Sequence, residues 1–446
     1  MRKLPVRSSF ALAATLAVAC GPESSTQMVQ SPTAMAPSPA IAPVETPVAP
    51  PAAKPVFENP GGMWMPRQLA AQADILKSLG LEIDPAGLAD PLREPLSAVV
   101  SLGGCSASFV SKQGLVITNH HCVQGALQFN STPADNLIEN GFLAKTMADE
   151  KTAGPTQKLT IAQSYKDVTA QMTDGLAALE DDLARTRESE TRSKALLAAC
   201  EKDRPEIRCR VASFFGGGQW FLIEQLEIKD VRLVYAPDRG IGNFGGEVDN
   251  WRWPRHTGDF SFFRAYVGKD GKPADYAPDN VPYQPTTWLK LATAPLEEGD
   301  LVLVAGYPGS TTRLATSNEA SEAAEWRIPH FITMAEQVLA LLETVTKDQP
   351  DLKIKAETRV RGLNNALTKQ RGTLETMVQG GLVEKRSQND AALLAWIDAD
   401  AARKETYRPS IDAMLALEDA QKQTRELDAA FGETIGGSAL LGVAAT

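Results

Sequence analysis

Two hydrophobic periods divide the chain. From Leu96 to Tyr235 apolar residues alternate with polar ones or gather in short β-branched runs, whereas after Ser317 they return every three or four residues. The alternation predicts strands at Ala98-Val99-Val100, Ala107 to Val110 and Leu115 to Thr118, with a tight turn at Lys112-Gln113-Gly114 between the last two. Strand patterning resumes at Arg210 and continues through Trp220-Phe221-Leu222 and Val231 to Tyr235. A short amphipathic helix is expected from Gln68 to Leu79, stopped by Gly80. Helical spacing interrupts the strands near 168–206, where Leu176, Leu179, Leu183 and Leu196-Leu197 stand among charged residues, so this stretch reads as an insertion. From 318 onward Met334, Val338, Leu341 and Val345 open a helical domain that runs to about Asp428, with breaks expected near Pro350, Gly380-Gly381 and Pro409. Strands first and helices after make an α+β chain. The helical stripes are core packing by default.

At 446 residues the chain can bury a substantial core and hold two or three domains. Its net charge of -10, with no basic cluster, gives no electrostatic footprint for nucleic acid. At the N-terminus Arg2, Lys3 and Arg7 precede an apolar run from Phe10 to Ala19 that is too short to span a bilayer, which is the pattern of an export signal over 1–20. Ala17 and Ala19 ahead of Cys20 resemble a lipoprotein cleavage box, with leucine one place early. Cys20 is therefore a candidate lipidation site that would anchor an exported protein in the periplasm or cell envelope; cleavage after Ala19 without lipid is the alternative. Residues 21–56 are dense in Pro and Ala with no period, and read as a disordered tether. Setting Cys20 aside from the five cysteines leaves Cys105, Cys122, Cys200 and Cys209, two sequence-local pairs that suit disulfides in an oxidising compartment. No cysteine or histidine cluster has zinc spacing, so neither a metal nor a cofactor is expected.

Candidate chemistry gathers at Thr118-Asn119-His120-His121-Cys122, where the predicted strand ends in two histidines. A bridge between Cys105 and Cys122 would pin the strand pair behind the imidazole. Two histidines at a strand end also serve as surface polar residues, and the pentapeptide alone leaves both readings open. A second feature-rich stretch runs from Asn243 to Arg264, with two tryptophans and a proline among glycines, unlike a solvated linker. Within it Asp259 opens the strand-like run Phe260 to Arg264, and either faces a histidine or caps the turn after Gly258.

Taken together, the segments GGMW, GGCSASFVSKQGLVITNHHC, NFGGEVDNWRWPRHTGDFSFFRAY, GYPGST and RGLNNALTKQRG resemble the bacterial serine exopeptidases of the dipeptidyl-peptidase seven and eleven family, from Gly61 to about Gly372. The resemblance implies a trypsin-like double β-barrel whose cleft is capped by helices, and removal of dipeptides from peptides with free N-termini. It implies a first barrel over 57–317, closed by a strand within Glu298 to Gly309, and a helical cap over 318–446. It implies His121 as general base, Asp259 as the carboxylate that orients it, and Asn250, Trp251 and Asn365 as the residues that hold the substrate's α-ammonium group. An asparagine carbonyl offers acceptor lone pairs and an indole face adds negative potential, which suits a cation held at a fixed distance from the nucleophile. His120 is expected to be structural. A homodimer is a further implication, with a lipid anchor as the only link to a membrane.

One part of the pattern is missing. A trypsin-like serine sits in a Gly-x-Ser-Gly turn whose amides form the oxyanion hole. Ser106 precedes the histidine strand, Ser310 lies in the first-barrel exit segment, and Ser438 lacks the following glycine. The expectation from sequence is therefore the first barrel and cap of a dipeptidyl-peptidase, with the second barrel absent and these 446 residues inactive by themselves. The alternative is a secreted, non-catalytic peptide-binding lipoprotein.

Overall fold

The computed structural model describes residues 64–437 apart from 133, 180, 247, 249, 253, 298 and 310–314. The export signal, the tether, Cys20, most of the GGMW segment, Ser310 and Ser438 lie outside the described residues.

Eleven strands form one antiparallel sheet: β1 (Val99–Ser101), β2 (Ser106–Phe109), β3 (Leu115–Thr118), β4 (Phe142–Leu143), β5 (Lys151–Thr152), β6 (Leu159–Asp167), β7 (Ile207–Phe214), β8 (Gln219–Ile228), β9 (Asp230–Ala236), β10 (Ser261–Val267) and β11 (Val281–Pro282). Neighbours follow the order β4-β9-β10-β3-β2-β1-β6-β8-β7, with β11 beside β10 and β5 beside β9. The β2–β3 hairpin forms where the alternation predicts it, with Val116 and Phe109 turned inward. Its turn is closed by Ser111, whose Oγ accepts the amides of Gln113 and Leu115. Gly114 has φ 69°, and a Cβ there would stand 2.8 Å from the Tyr283 carbonyl oxygen, so only glycine fits. Between β8 and β9 only Lys229 intervenes, and there the chain changes neighbours from β6 and β7 to β10. Val100, Val116, Leu159, Ile228, Leu233 and Phe263 come from both halves of this path yet meet in one buried cluster, so the sheet curves around a common core. The whole is α+β.

A 20-residue helix, α1 (Asp182–Glu201), interrupts the strands. Asp181 caps it by accepting the amides of Leu183 and Ala184, and the Cys200–Cys209 disulfide ties its last turn to β7. Cys200 packs with Val168, Met172 and Leu222 in a small core of its own.

The helical region comprises α2 (Ser317–Glu322), α3 (Ile328–Thr346), α4 (Pro350–Gln379), α5 (Leu382–Asp398) and α6 (Ala401–Gly437), with a π-helical turn over Ala323–Arg327. Thr316 and Glu319 close a capping box at its start. The break expected near Pro350 is the start of α4, where proline needs no amide partner. The break at Gly380-Gly381 is present, with Gly381 in the left-handed region at φ 59°.

Two expectations need correction. No break occurs at Pro409: α6 runs through it, bracketed by Arg408, which pairs with Asp398 at 2.8 Å and with Asp412 at 2.8 Å. The chain breaks instead at Ala399-Asp400, where the Asp400 carboxylate accepts the Arg403 amide and starts α6. The strand expected within Glu298 to Gly309 has no ladder among the described residues. Tyr307 reaches β2 only through its amide, which donates to Ser106 Oγ at 2.7 Å, because both sides of β2 are already paired with β1 and β3. Val304 is left 100% exposed.

Candidate active site

The β3–β10 ladder places the site. Thr118 pairs with Ser261 in antiparallel register, so the residues that follow β3 must meet the residues that precede β10. That brings His121 to Asp259, 138 positions away, with Nδ1 2.9 Å from Oδ2. The backbone adds to the contact: the His121 amide donates to Asp259 Oδ1 at 3.1 Å. Asn119 supplies a further donor, its Nδ2 standing 3.2 Å from Oδ2 and 3.2 Å from the Asp259 carbonyl oxygen. Behind the pair, the Cys105–Cys122 disulfide ties the residue after His121 to the start of β2. The two sulfurs are bonded to each other, so the group Cys105, His121 and Cys122 offers one imidazole and no thiolate to a metal.

Burial of the Asp259 carboxyl pushes its pKa up, but the hydrogen bond and charge of His121, the His121 amide and the nearby Arg255 outweigh it and hold the group below its ordinary value. An ionised carboxylate only accepts, so the proton of the contact sits on His121 Nδ1, and in the neutral ring Nε2 is the nitrogen with the lone pair. The side chain of His121 is 64% exposed while that of Asp259 is 11% exposed, which leaves Nε2 on the open side. No described residue hydrogen-bonds to Nε2.

The adjacent histidine has a different part. His120 is 1% exposed and lies against Gly242, where any Cβ would come within 2.5 Å of its ring. Burial lowers its pKa, against the opposing pull of Asp259, so it is held as a neutral ring.

Asn250, Trp251 and Asn365 also meet. Asn250 Nδ2 donates to Asn365 Oδ1 at 2.8 Å and Trp251 Nε1 donates to the same oxygen at 3.0 Å, joining the tryptophan-rich loop to α4. Trp251 has φ 60°, a strained conformation for an aromatic residue. Its exposed indole carries the Lys369 ammonium 5.5 Å from the ring centroid.

Two residues of this constellation were not singled out by sequence. Asn119 stands immediately before the histidine pair. Arg255 lies inside the tryptophan-rich block, with Nη2 3.9 Å from Asp259 Oδ2 and Nη1 donating to Asn250 Oδ1 at 3.4 Å. Their positions beside the motif residues are the only signal, since both types are common on loops. Cys200 and Cys209 belong to the α1–β7 core.

The geometry can be set beside known proteins. The family model described as Peptidase S46 matches residues 60–446. An Asp/Glu-specific dipeptidyl-peptidase of Shewanella putrefaciens is 41% identical over 358 residues, which cover 80% of this chain and 48% of that protein. Dipeptidyl-peptidase 7 of Porphyromonas gingivalis is 36% identical over 259 residues, 57% of this chain and 36% of that one. The crystal structure of Porphyromonas endodontalis DPP11 in complex with the dipeptide Arg-Glu superimposes with a TM-score of 0.75 at 32% identity, covering 82% of this chain and 53% of that chain. The same protein in an alternate conformation gives 0.57 at 32% identity, over 79% and 57%. The chain thus spans about half the length of the curated relatives first named here. With a family model matched over most of its residues, the chain belongs to the peptidase S46 family.

Proposed function

We infer that this chain carries the general base, its orienting carboxylate and the substrate N-terminus site of a serine-type dipeptidyl-peptidase that releases dipeptides from free peptide N-termini. The observation that carries the reading is the 2.9 Å contact of His121 Nδ1 with Asp259. The carboxylate fixes the tautomer, and the outward Nε2 takes the proton of a serine hydroxyl as its oxygen attacks the peptide carbonyl, then returns that proton to the leaving amine. No described hydroxyl bonds to Nε2, and we assign the serine to none of the described residues. In the trypsin-like reading it stands in a Gly-x-Ser-Gly turn of a second barrel, the curved sheet here being the first barrel and α2 to α6 the cap.

The α-ammonium group of the substrate is held by Asn250, Trp251 and Asn365, displacing one of the two N–H donors that Asn365 Oδ1 accepts in the structure. Lys369 already occupies the indole face, which favours the oxygen acceptors over a cation–π contact. Bound there, a peptide presents the bond after its second residue to the imidazole. Relatives named Asp/Glu-specific support an acidic second residue. The export signal and Cys20 support a periplasmic or envelope location with a lipid anchor, and the family resemblance supports a homodimer.

The test compares Ala-Glu-Ala-Ala with its N-acetylated form. The purified protein is expected to bind the free peptide and reject the acetylated one, and Asn365→Ala to lose that preference. Any Ala-Glu release detected by mass spectrometry should vanish in His121→Ala. Equal calorimetric binding of the two peptides would remove the reading. Because Nε2 is unmet among the described residues, a non-catalytic peptide-binding lipoprotein is the second reading. It predicts the same preference without release.

A further inference from the structure

Arg255 is the only described cation within ion-pair distance of Asp259 apart from His121 itself. It uses two different nitrogens. Nη1 donates to the Asn250 side-chain carbonyl at 3.4 Å, and Nη2 lies 3.9 Å from Asp259 Oδ2, the same oxygen that meets His121 and Asn119. Asn250, at its other end, donates to Asn365 on α4. A continuous polar path therefore runs from the helix through Asn365, Asn250 and Arg255 to the carboxylate that orients the imidazole.

We propose that Arg255 is a positioning residue that holds the N-terminus site and the imidazole–carboxylate pair in one register, so that anchoring the substrate's ammonium group and orienting His121 are coupled. This rests on the peptidase reading above. The physical reason for arginine is its rigid planar fork, which spans an amide oxygen and a carboxylate at once, whereas a lysine is a single point charge on a flexible stem. The contact to Asn250 also fixes which way that amide points. With its carbonyl on Arg255, its Nδ2 donates to Asn365 Oδ1, the oxygen that also accepts the Trp251 indole N–H and on which the site is centred. Arg255 further covers an Asp259 oxygen with positive charge, which keeps an incoming ammonium group on the asparagine oxygens and off the carboxylate. The rival account is a half-exposed surface ion pair, which contributes little.

The test uses the purified protein with its aspartate carboxyl carbons labelled with 13C, the Asp259 signal being assigned by its loss in Asp259→Asn, together with calorimetry on free and N-acetylated Ala-Glu-Ala-Ala. Arg255→Ala is expected to move the Asp259 titration upward, toward the ordinary carboxylate range, and to weaken free-peptide binding on the order of tenfold. Arg255→Lys should keep the Asp259 titration near that of the wild type yet bind the free peptide as weakly as Arg255→Ala. Arg255→Gln, which keeps length without charge, replaces the alanine variant if that one does not fold. Wild-type binding in Arg255→Lys, or an unchanged titration in Arg255→Ala, would overturn the proposal. Failure of the wild-type protein to tell free from acetylated peptide would instead sink the peptidase reading. In that case the Asp259 titration in Arg255→Ala still decides the Arg255 contact.

Discussion

The sheet and the helical region are held together by different forces. In the sheet, Val100, Val116, Leu159, Ile228, Leu233, Phe263 and Ala265 are shut away from solvent, and ladders hold residues far apart in sequence in fixed register. In the helical region Ala335, Ile397, Ala320 and Ile328 are buried about as fully and Leu363 and Leu367 nearly so, but in small separate clusters. Its helices are also tied by polar contacts. Arg425 pairs with Glu322 at 2.8 Å, Trp326 donates to Glu426 at 2.9 Å, His330 meets Glu433 at 2.7 Å, and Thr316 donates to Glu418 at 3.0 Å. The difference bears on the site. The His121–Asp259 contact is set by a ladder on a large dry core, whereas Asn365 reaches the same neighbourhood from a helix packed on smaller apolar clusters. A base needs a rigid platform, and a residue that grips an arriving group tolerates one that gives.

The comparison can be broken at its strong end first. Phe263→Ala removes one of the two largest side chains of the sheet core and should destabilise it by about 3–5 kcal/mol. Amide exchange should rise over β2, β3 and β10 together while the helical region is little changed; a uniform rise across both regions would show that they unfold as one unit. Leu367→Ala, facing Ala335 and Phe331, should cost about 2 kcal/mol and loosen only α3 and α4. Faster exchange in β3 and β10 after that change would erase the distinction.

Acid sharpens the contrast further. His120 has a lowered pKa in the folded sheet, so as pH falls below the ordinary value of 6.5 the unfolded chain takes up a proton that the folded chain refuses. Stability of the sheet therefore declines as pH falls through the window between 6.5 and the lowered value, with a slope of at most about 1.4 kcal/mol per pH unit. His120→Gln should flatten that slope in urea titrations at successive pH values. Smallest is Thr316→Ala, which removes the cap of α2 and a contact to Glu418. It should cost about 1 kcal/mol, visible as faster exchange at Ser317–Glu322.

How far the sequence anticipates this molecule depends on whether a contact is local. The hairpin of β2 and β3 is legible because alternation and the turn at Gly114 are written within a few residues. Asp259 is legible as a strand opener, and once β10 pairs with β3 its meeting with the histidine end follows from register. Asn365 is different. No period in α4 says that one asparagine will face a loop 115 positions away, and it was singled out only through resemblance to a family. Arg255 and Asn119 were missed because their partners are fixed by the folded loop, not by spacing. Leu301 to Val304 has strand character but no ladder partner among the described residues, since propensity describes a segment while a ladder needs two. At Pro409 α6 continues where the breaker rule expects a stop, and the real boundary lay at a capping aspartate nine residues earlier.

The Cys105–Cys122 bond has a practical consequence for anyone making this protein. It closes a loop of 17 positions that contains the whole β2–β3 turn and both histidines. A production strain whose cytoplasm keeps thiols reduced would yield polypeptide with this staple open, and with it the turn that presents the imidazole less firmly fixed. Material from such a strain could fold around its apolar centre and still score poorly in a peptide assay. Yield and competence should accordingly be measured on separate batches, one oxidised and one not.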